Sequence, residues 1–161
     1  MGEITVVEAD LSRTGHVVAV VDQLDAYSRD PAATRRGRSE QVKRNLGAGL
    51  RAHPGTTVFL AYRHGFPVGV AVCFLGFSTF AAQSVLNIHD LPVEPEHRGL
   101  GVGRSLLERV EERARELGCR KLTLEVQEGN ARAMGLYDRF GFDPCQLASG
   151  TERALFLQKK V

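Results

Sequence analysis

The sequence predicts an α/β domain with one mixed central sheet and helices on both faces. Three observations predict it. Short apolar, β-prone runs alternate with longer runs whose apolar residues recur at helical spacing. One apolar run, Val85 to Val93, passes through a glycine-rich turn straight into a helix-patterned segment, Ser105 to Leu117. The chain has 161 residues, 43% hydrophobic and 25% charged, which suits one domain over residues 1–161 with a sizeable core.

The first half of the chain divides as follows. Ile4 to Glu8 reads as the first strand. Thr14 to Tyr27 carries Val17, Val18, Val20, Val21 and Leu24 in an amphipathic pattern, with Thr14 as its cap and Asp30-Pro31 as its close. Ser39 to Leu50 is a second helix with Val42, Leu46 and Leu50 on one face. Thr57 to Tyr62 and Val68 to Phe74 flank the turn residues His64-Gly65-Phe66-Pro67, the pattern of a hairpin. Phe77 to Phe80 reads as a loop or a strand extension, and Val85 to Val93 as the fourth strand.

The helix after the glycine turn places Leu106, Leu107, Val110, Ala114 and Leu117 on one face and ends at Gly118. Leu122 to Val126 alternates with period two and is the fifth strand. Asn130 to Phe140 is a short helix stopped by Gly141. Asp143 to Leu147 and Arg153 to Leu157 complete a sheet of about seven strands.

Composition excludes several classes. A net charge of +2 is too small to argue for nucleic acid, and Arg35, Arg36 and Arg38 sit in a Gly/Ala/Ser context that reads as a solvated loop. Cys73, Cys119 and Cys145 are widely spaced, show no metal-ligand spacing and are odd in number, against a disulfide framework. Cys73 lies in an apolar run and reads as a small core residue. No signal-peptide pattern and no bilayer-length apolar run is present, so the expected setting is cytoplasmic, without membrane, nucleic-acid or metal partners.

The stretch from Val93 to Ser105 carries the chemistry. Strand, glycine turn and helix is a backbone design for holding phosphate, because the helix offers unpaired N–H groups and a positive dipole end. A Walker loop needs Lys-Ser or Lys-Thr after the last glycine; this chain has Arg104-Ser105. A dinucleotide fingerprint needs a third glycine where Arg104 stands. What remains is Arg98-x-x-Gly101-x-Gly103, preceded by Val93-x-Pro95. This resembles the acetyl-CoA pyrophosphate loop of the GNAT superfamily of N-acetyltransferases, Arg/Gln-x-x-Gly-x-Gly/Ala. Downstream, Asn130 to Phe142 resembles the family's N-x-x-A-x-x-L-Y-x-x-x-G-F segment, and the two motifs in register cover Leu86 to Phe142.

The resemblance implies a GNAT-like sheet splayed between its fourth and fifth strands. Pro92 agrees, since a proline inside a central strand marks an edge or a bulge. Splaying would free the backbone of Leu91 and Val93 to pair with the pantetheine arm; a simple edge strand is the other reading. The resemblance makes acetyl-CoA the co-substrate, held by Arg98, Gly99, Leu100, Gly101, Val102, Gly103, Arg104 and Ser105, with Asn130 as a further contact or a helix cap. It also gives Tyr137 the role of acid toward the departing thiolate; the same residue fits an ordinary helix-face aromatic. His89 stands where some family members carry a histidine able to act as base, and equally fits a hydrogen-bonded core histidine. A backbone N–H, that of Val93, would stabilise the oxyanion.

The acceptor is a primary amine of a small molecule or peptide, expected where Phe77, Phe80 and the Tyr27 to Arg38 region converge. Without a strong acidic cluster there, a polycationic acceptor is disfavoured. The family leaves the oligomeric state open, with a homodimer among the options. Two alternatives stay open at this point: a non-catalytic acyl-CoA-binding module of the same fold, and a nucleotide-binding oxidoreductase domain, which the missing third glycine opposes.

Overall fold

Residues 2–31 and 36–143 are described by the computed structural model. Among them, the elements are β1 (Ile4–Glu8), α1 (Thr14–Arg29), α2 (Glu40–Ala52), β2 (Thr56–Arg63), β3 (Phe66–Ser78), β4 (Gln83–Asp90), a 3-10 turn (Pro95–His97), α3 (Val102–Glu116), β5 (Lys121–Leu124) and α4 (Ala131–Phe140). The strands form one sheet in the order β1-β2-β3-β4-β5. The first four pair antiparallel with their neighbours, and β5 runs parallel to β4 because α3 carries the chain back across the sheet. A dinucleotide-binding domain opens on parallel βαβ units, so the oxidoreductase alternative fails on topology.

The core has two halves, one on each face. On one face α3 buries Val102, Leu106, Leu107, Val110 and Ala114 against Phe59, Ala71, Cys73, Leu86 and Ile88. Full burial of each large aliphatic side chain contributes about 1.5–3 kcal/mol. On the other face α1 buries Ala19, Val20 and Leu24 against Val58, Leu60, Val70 and Val72, with Leu50 of α2 in the same cluster. Asp25 ties α1 to the start of α2: its carboxylate accepts the Arg38 N–H at 2.9 Å and pairs with Arg29 at 3.0 Å and Lys43 at 3.8 Å. The Arg38 hydrogen bond is the main reason its acidity is strengthened.

Two irregularities shape the sheet where β4 ends. Cys73 pairs with Ile88 while Val72 pairs with Asp90, so His89 is an extra residue, a β-bulge. Pairing of β4 with β5 runs from Val85–Lys121 to Ile88–Leu124, and β4 continues to Asp90 beyond it. The chain then leans back on β3: Val70 N–H donates to Pro92 O at 3.1 Å and Glu94 N–H to Val68 O at 3.0 Å. Pro92 is buried here and supplies only its carbonyl.

Several sequence expectations shift. The strand expected to reach Val93 stops at Asp90, and the fifth strand is shorter than Leu122 to Val126. The helix expected from Ser105 starts at Val102, because Gly101 turns the chain into it. Thr14 lies inside α1 and makes no cap bond, whereas Ser39 caps α2 by accepting the Val42 N–H at 3.3 Å. Phe77 and Ser78 belong to β3. The described residues hold five strands. Asp143 itself is not in a strand, and the remainder of the sixth and seventh expected strands, with Arg35 and Cys145, lies outside the described residues. No helix among the described residues is long and apolar enough to cross a membrane.

Candidate active site

α3 begins without a side-chain cap. Gly101 occupies its N-cap position at φ 93°, a left-handed conformation that a side chain would strain. The first amide inside the helix ladder is Ser105 N–H, bonded to Gly101 O at 2.9 Å. The N–H groups of residues 99–104 have no acceptor among the described residues. Together with the helix dipole they form an anion cradle. Gly103 has a separate reason to be glycine: a Cβ there would lie 2.9 Å from Leu136 Cδ2, so it sets how closely α4 approaches α3.

The flanking arginines are both engaged within the chain. Arg98 donates from Nε to Val93 O at 2.9 Å and pairs through Nη2 with Asp30, while its own N–H bonds Pro95 O. Its Nε and Nη2 are thus both engaged within the chain. It fastens the C-terminal end of α1 to the backbone at Val93. Arg104 is exposed and pairs with Glu108 at 2.9 Å, a surface pair that costs little to open. Leu100 is exposed and Val102 buries its side chain in the core, so these two offer the cradle their backbone, whereas the half-buried Ser105 already donates its N–H to Gly101 O.

Val93 forms an isolated antiparallel bridge with Gly69. The hydrogen bonds of that bridge come from the residues on either side, so Val93's own N–H and C=O turn away from β3. Arg98 takes the C=O. The N–H groups of Val93 and Leu91 have no partner among the described residues. They lie just past the end of the β4–β5 pairing.

Proton-carrying groups gather at the same place. Tyr137 of α4 packs edge-to-face on Phe142 at 5.6 Å, and burial, then the neighbouring Tyr27, pushes its phenol up to about 12. Tyr27 of α1 is raised first by burial, then by the charges of Asp90 and Asp30. Tyr137, Tyr27, Asp90 and Asp30 are therefore electrostatic neighbours, although they come from α4, α1 and β4. Asn130 caps α4, its Oδ1 accepting the Ala133 N–H at 3.2 Å. A groove of about 200 Å³ runs between the end of α1 and residues 92–98, lined by Tyr27, Asp30, Val93, Glu94 and Arg98 among others. Gln23 fixes its wall by donating to Pro67 O at 3.0 Å and Glu94 Oε1 at 2.8 Å.

His89 is exposed, with its ring edge-on to Phe74 at 5.5 Å. Alternation alone would send His89 and Asp90 to opposite faces, but the bulge relieves this. His89 meets Phe74, and Asp90 pairs with Val72, both on the α1/α2 face, from where the Asp90 charge acts on Tyr27. Asp90 lies beside His89 in the sequence, and the bulge is what lets both share a face; Asp30 behind Arg98, and Phe74 with His53 at 4.8 Å, escape a reading of the sequence because only the fold brings them together.

Phe77 and Phe80 do not converge with Tyr27. Both are exposed at the β3–β4 turn. Phe77 is roughly 23 Å along β3 from Val70, which pairs with Pro92, at about 3.3 Å per residue. The aromatic surface facing the site is Phe74 instead. Residues 32–35 of the expected acceptor region lie outside the described residues.

Comparison with known proteins agrees with this geometry. The model of the acetyltransferase (GNAT) family matches residues 19–142. The chain is 40% identical over 92 residues to streptothricin acetyltransferase of Streptomyces lavendulae, covering 52% of this chain and 49% of that protein. It is 35% identical over 83 residues to thialysine N-epsilon-acetyltransferase of Bos taurus, covering 52% and 48% respectively. It spans about half the length of these curated relatives. An aminoglycoside N-acetyltransferase solved in complex with CoA has the same fold, with a TM-score of 0.77 at 16% identity over 100% of this chain and 97% of that one.

Proposed function

The chain belongs to the GNAT acetyltransferase family, and from that premise we propose that it transfers the acetyl group of acetyl-CoA to a primary amine of a small molecule or peptide, by direct attack. The observation that carries this reading is the run of N–H groups over residues 99–104 without acceptors among the described residues, with Leu91 and Val93, whose own N–H groups are likewise unengaged, packed beside Gly103.

Residues 99–104 hold the pyrophosphate by their N–H groups, with Arg104 free to swing in from its surface pair. The site fits acetyl-CoA, since donors without protein acceptors at a helix head suit an anion such as its pyrophosphate. Leu91 N–H pairs with the pantetheine arm as an added strand would. Bound acetyl-CoA supplies an activated acyl carbon and a thiolate leaving group. Val93 N–H donates to the acyl oxygen as negative charge develops there. The Val93 N–H shares a rigid peptide plane with the Pro92 carbonyl, which the Val70 N–H holds, and this fixes its direction.

Asp90 draws the ammonium, and His89 takes its proton so that a neutral nitrogen attacks. The new C–N bond forms as the C–S bond breaks. Tyr137 gives its proton to the sulfur. With its phenol at about 12 and a thiol near roughly 8.5, that transfer is uphill in the free protein, so it accompanies C–S cleavage rather than preceding it. The second proton that the nitrogen sheds on becoming an amide passes through solvent to restore the phenol. Asn130 steadies the first turn of the helix that carries Tyr137.

The test is a panel of primary amines and peptides with acetyl-CoA, assayed by release of free thiol and by calorimetry of acetyl-CoA binding. Thiol release that depends on an amine supports transfer. Tight acetyl-CoA binding with no release for any amine identifies a non-catalytic acyl-CoA-binding module. Failure to bind acetyl-CoA overturns the cradle.

A further inference from the structure

A second groove, of about 380 Å³, lies between α2 and β3 and plays no part in the transfer steps proposed for the cradle and Tyr137. Its walls include Val42, Leu46, Gly49, Leu50, His53 and Phe74. It is an open surface groove rather than an enclosed cavity, with a volume at the low end of the about 300–1,000 Å³ span of small-molecule sites. The remaining lining residues are Gln41 and Asn45, so among the described residues no carboxylate, lysine or arginine lines it. Such a pocket offers nothing to a phosphate or to an ammonium. It offers burial to hydrocarbon. Val42 is 46% exposed there although it sits on the apolar stripe of α2.

The groove shares the Phe74 ring with the neighbourhood of His89. Phe74 lines it, and the same ring is edge-on to His53 at 4.8 Å and to His89 at 5.5 Å. Phe74 stands two residues along β3 from Val72, the partner of Asp90, which is roughly 7 Å at about 3.3 Å per residue. The groove opens on the α1/α2 face, whereas the cradle heads α3 on the other face. Donor and groove therefore approach the centre from opposite sides of the sheet.

Resting on the acetyltransferase reading, we propose that this groove is the apolar subsite for the acceptor. The amine it selects carries an uncharged aryl or alkyl group roughly 7 Å from its nitrogen. That group lies against Phe74 and Leu46 while the nitrogen meets Asp90 and His89. The acceptor is thus amphipathic, a single cation on an apolar body, rather than a polycation.

Gly49 makes the test clean, because a Cβ added to it meets nothing within 4 Å and a larger side chain enters open groove. Steady-state kinetics with 4-phenylbutylamine and propylamine, in wild type and Gly49→Leu, read the preference between the two. The expected result is at least a tenfold higher kcat/KM for 4-phenylbutylamine in wild type and at least a tenfold loss of that ratio in the variant. A ratio unmoved by Gly49→Leu overturns the subsite. Hexanoyl-CoA outpacing acetyl-CoA, with that advantage lost in Gly49→Leu, gives the groove to the donor's acyl chain and also overturns it. NMR titration of the wild type with 4-phenylbutylamine, read on the ring signals of His53 and Phe74, is independent of turnover. Saturable shifts without acetylation of any amine keep the subsite and sink the transferase reading. The absence of shifts sinks the subsite whatever the turnover.

Discussion

Val93 and Gly69 face each other across a bridge that leaves the Val93 amide turned out of the β3 ladder. The approach is close because Gly69 lacks a side chain. A Cβ there would lie 3.1 Å from Pro92 O, 3.2 Å from Val102 Cγ1 and 3.3 Å from Leu106 Cδ1. One residue thus sets both the lie of Val93 and the seating of α3. Gly69→Val is expected to cost about 1–3 kcal/mol of stability through overpacking. It should also lower kcat more than it raises KM for acetyl-CoA, because the Val93 N–H is displaced. Thermal melts and steady-state kinetics check both, and a destabilised variant with full kcat would detach Val93 from catalysis.

Gly101 and Gly103 share a motif but serve different ends. Gly101 is held at φ 93°, so Gly101→Val strains the backbone and deforms the cradle. Gly103→Ala instead drives a Cβ to within 2.9 Å of Leu136 Cδ2. Acetyl-CoA affinity by calorimetry should fall at least tenfold in each. Adding Leu136→Ala should restore most of the loss for Gly103→Ala and none for Gly101→Val. Equal rescue of both would mean that packing, not amide geometry, shapes the loop.

The elements are legible in the sequence where local pattern decides them. Leu106, Leu107, Val110 and Ala114 recur at helical spacing and are buried together under the sheet. The glycine turn announces a phosphate cradle because glycine density at a helix head has few other causes. The acceptor side is not legible. Its geometry depends on a one-residue bulge at His89, which flips a side chain without changing any residue type. Arg98 reads as a phosphate ligand because charge near a cradle invites that reading. Its carboxylate partner, Asp30, is 68 residues away in sequence and only the fold brings them together.

The shared face of His89 and Asp90 separates two roles that sequence alone merges. His89→Ala is expected to lower kcat/KM for the amine about 10²-fold and to displace its rise with pH toward higher pH, as loss of a proton acceptor requires. Asp90→Asn should chiefly raise KM for the amine and leave the shape of the profile in place. Rate measurements across pH 6–10, about the range where amines and imidazoles titrate, distinguish them. A His89→Ala profile superimposable on wild type would retire His89 as the base.

Tyr137 carries the clearest pH signature. Burial, then Tyr27, pushes its phenol up to about 12, above the value of about 10 for an exposed tyrosine. The unfolded chain releases this proton near pH 10 while the folded chain holds it until about 12. Its contribution to stability is therefore complete below about pH 10 and lost as the pH climbs from there toward 12. Over the working range Tyr137 is a phenol, so kcat should show no descending limb below about pH 10. Tyr137→Phe keeps the ring that packs on Phe142 but removes the proton. It should lower kcat about 10²-fold, leave acetyl-CoA affinity within about twofold, and flatten the alkaline fall in melting temperature. Undiminished kcat in Tyr137→Phe would mean that the thiolate leaves without this acid and that Tyr137 serves α4 packing alone.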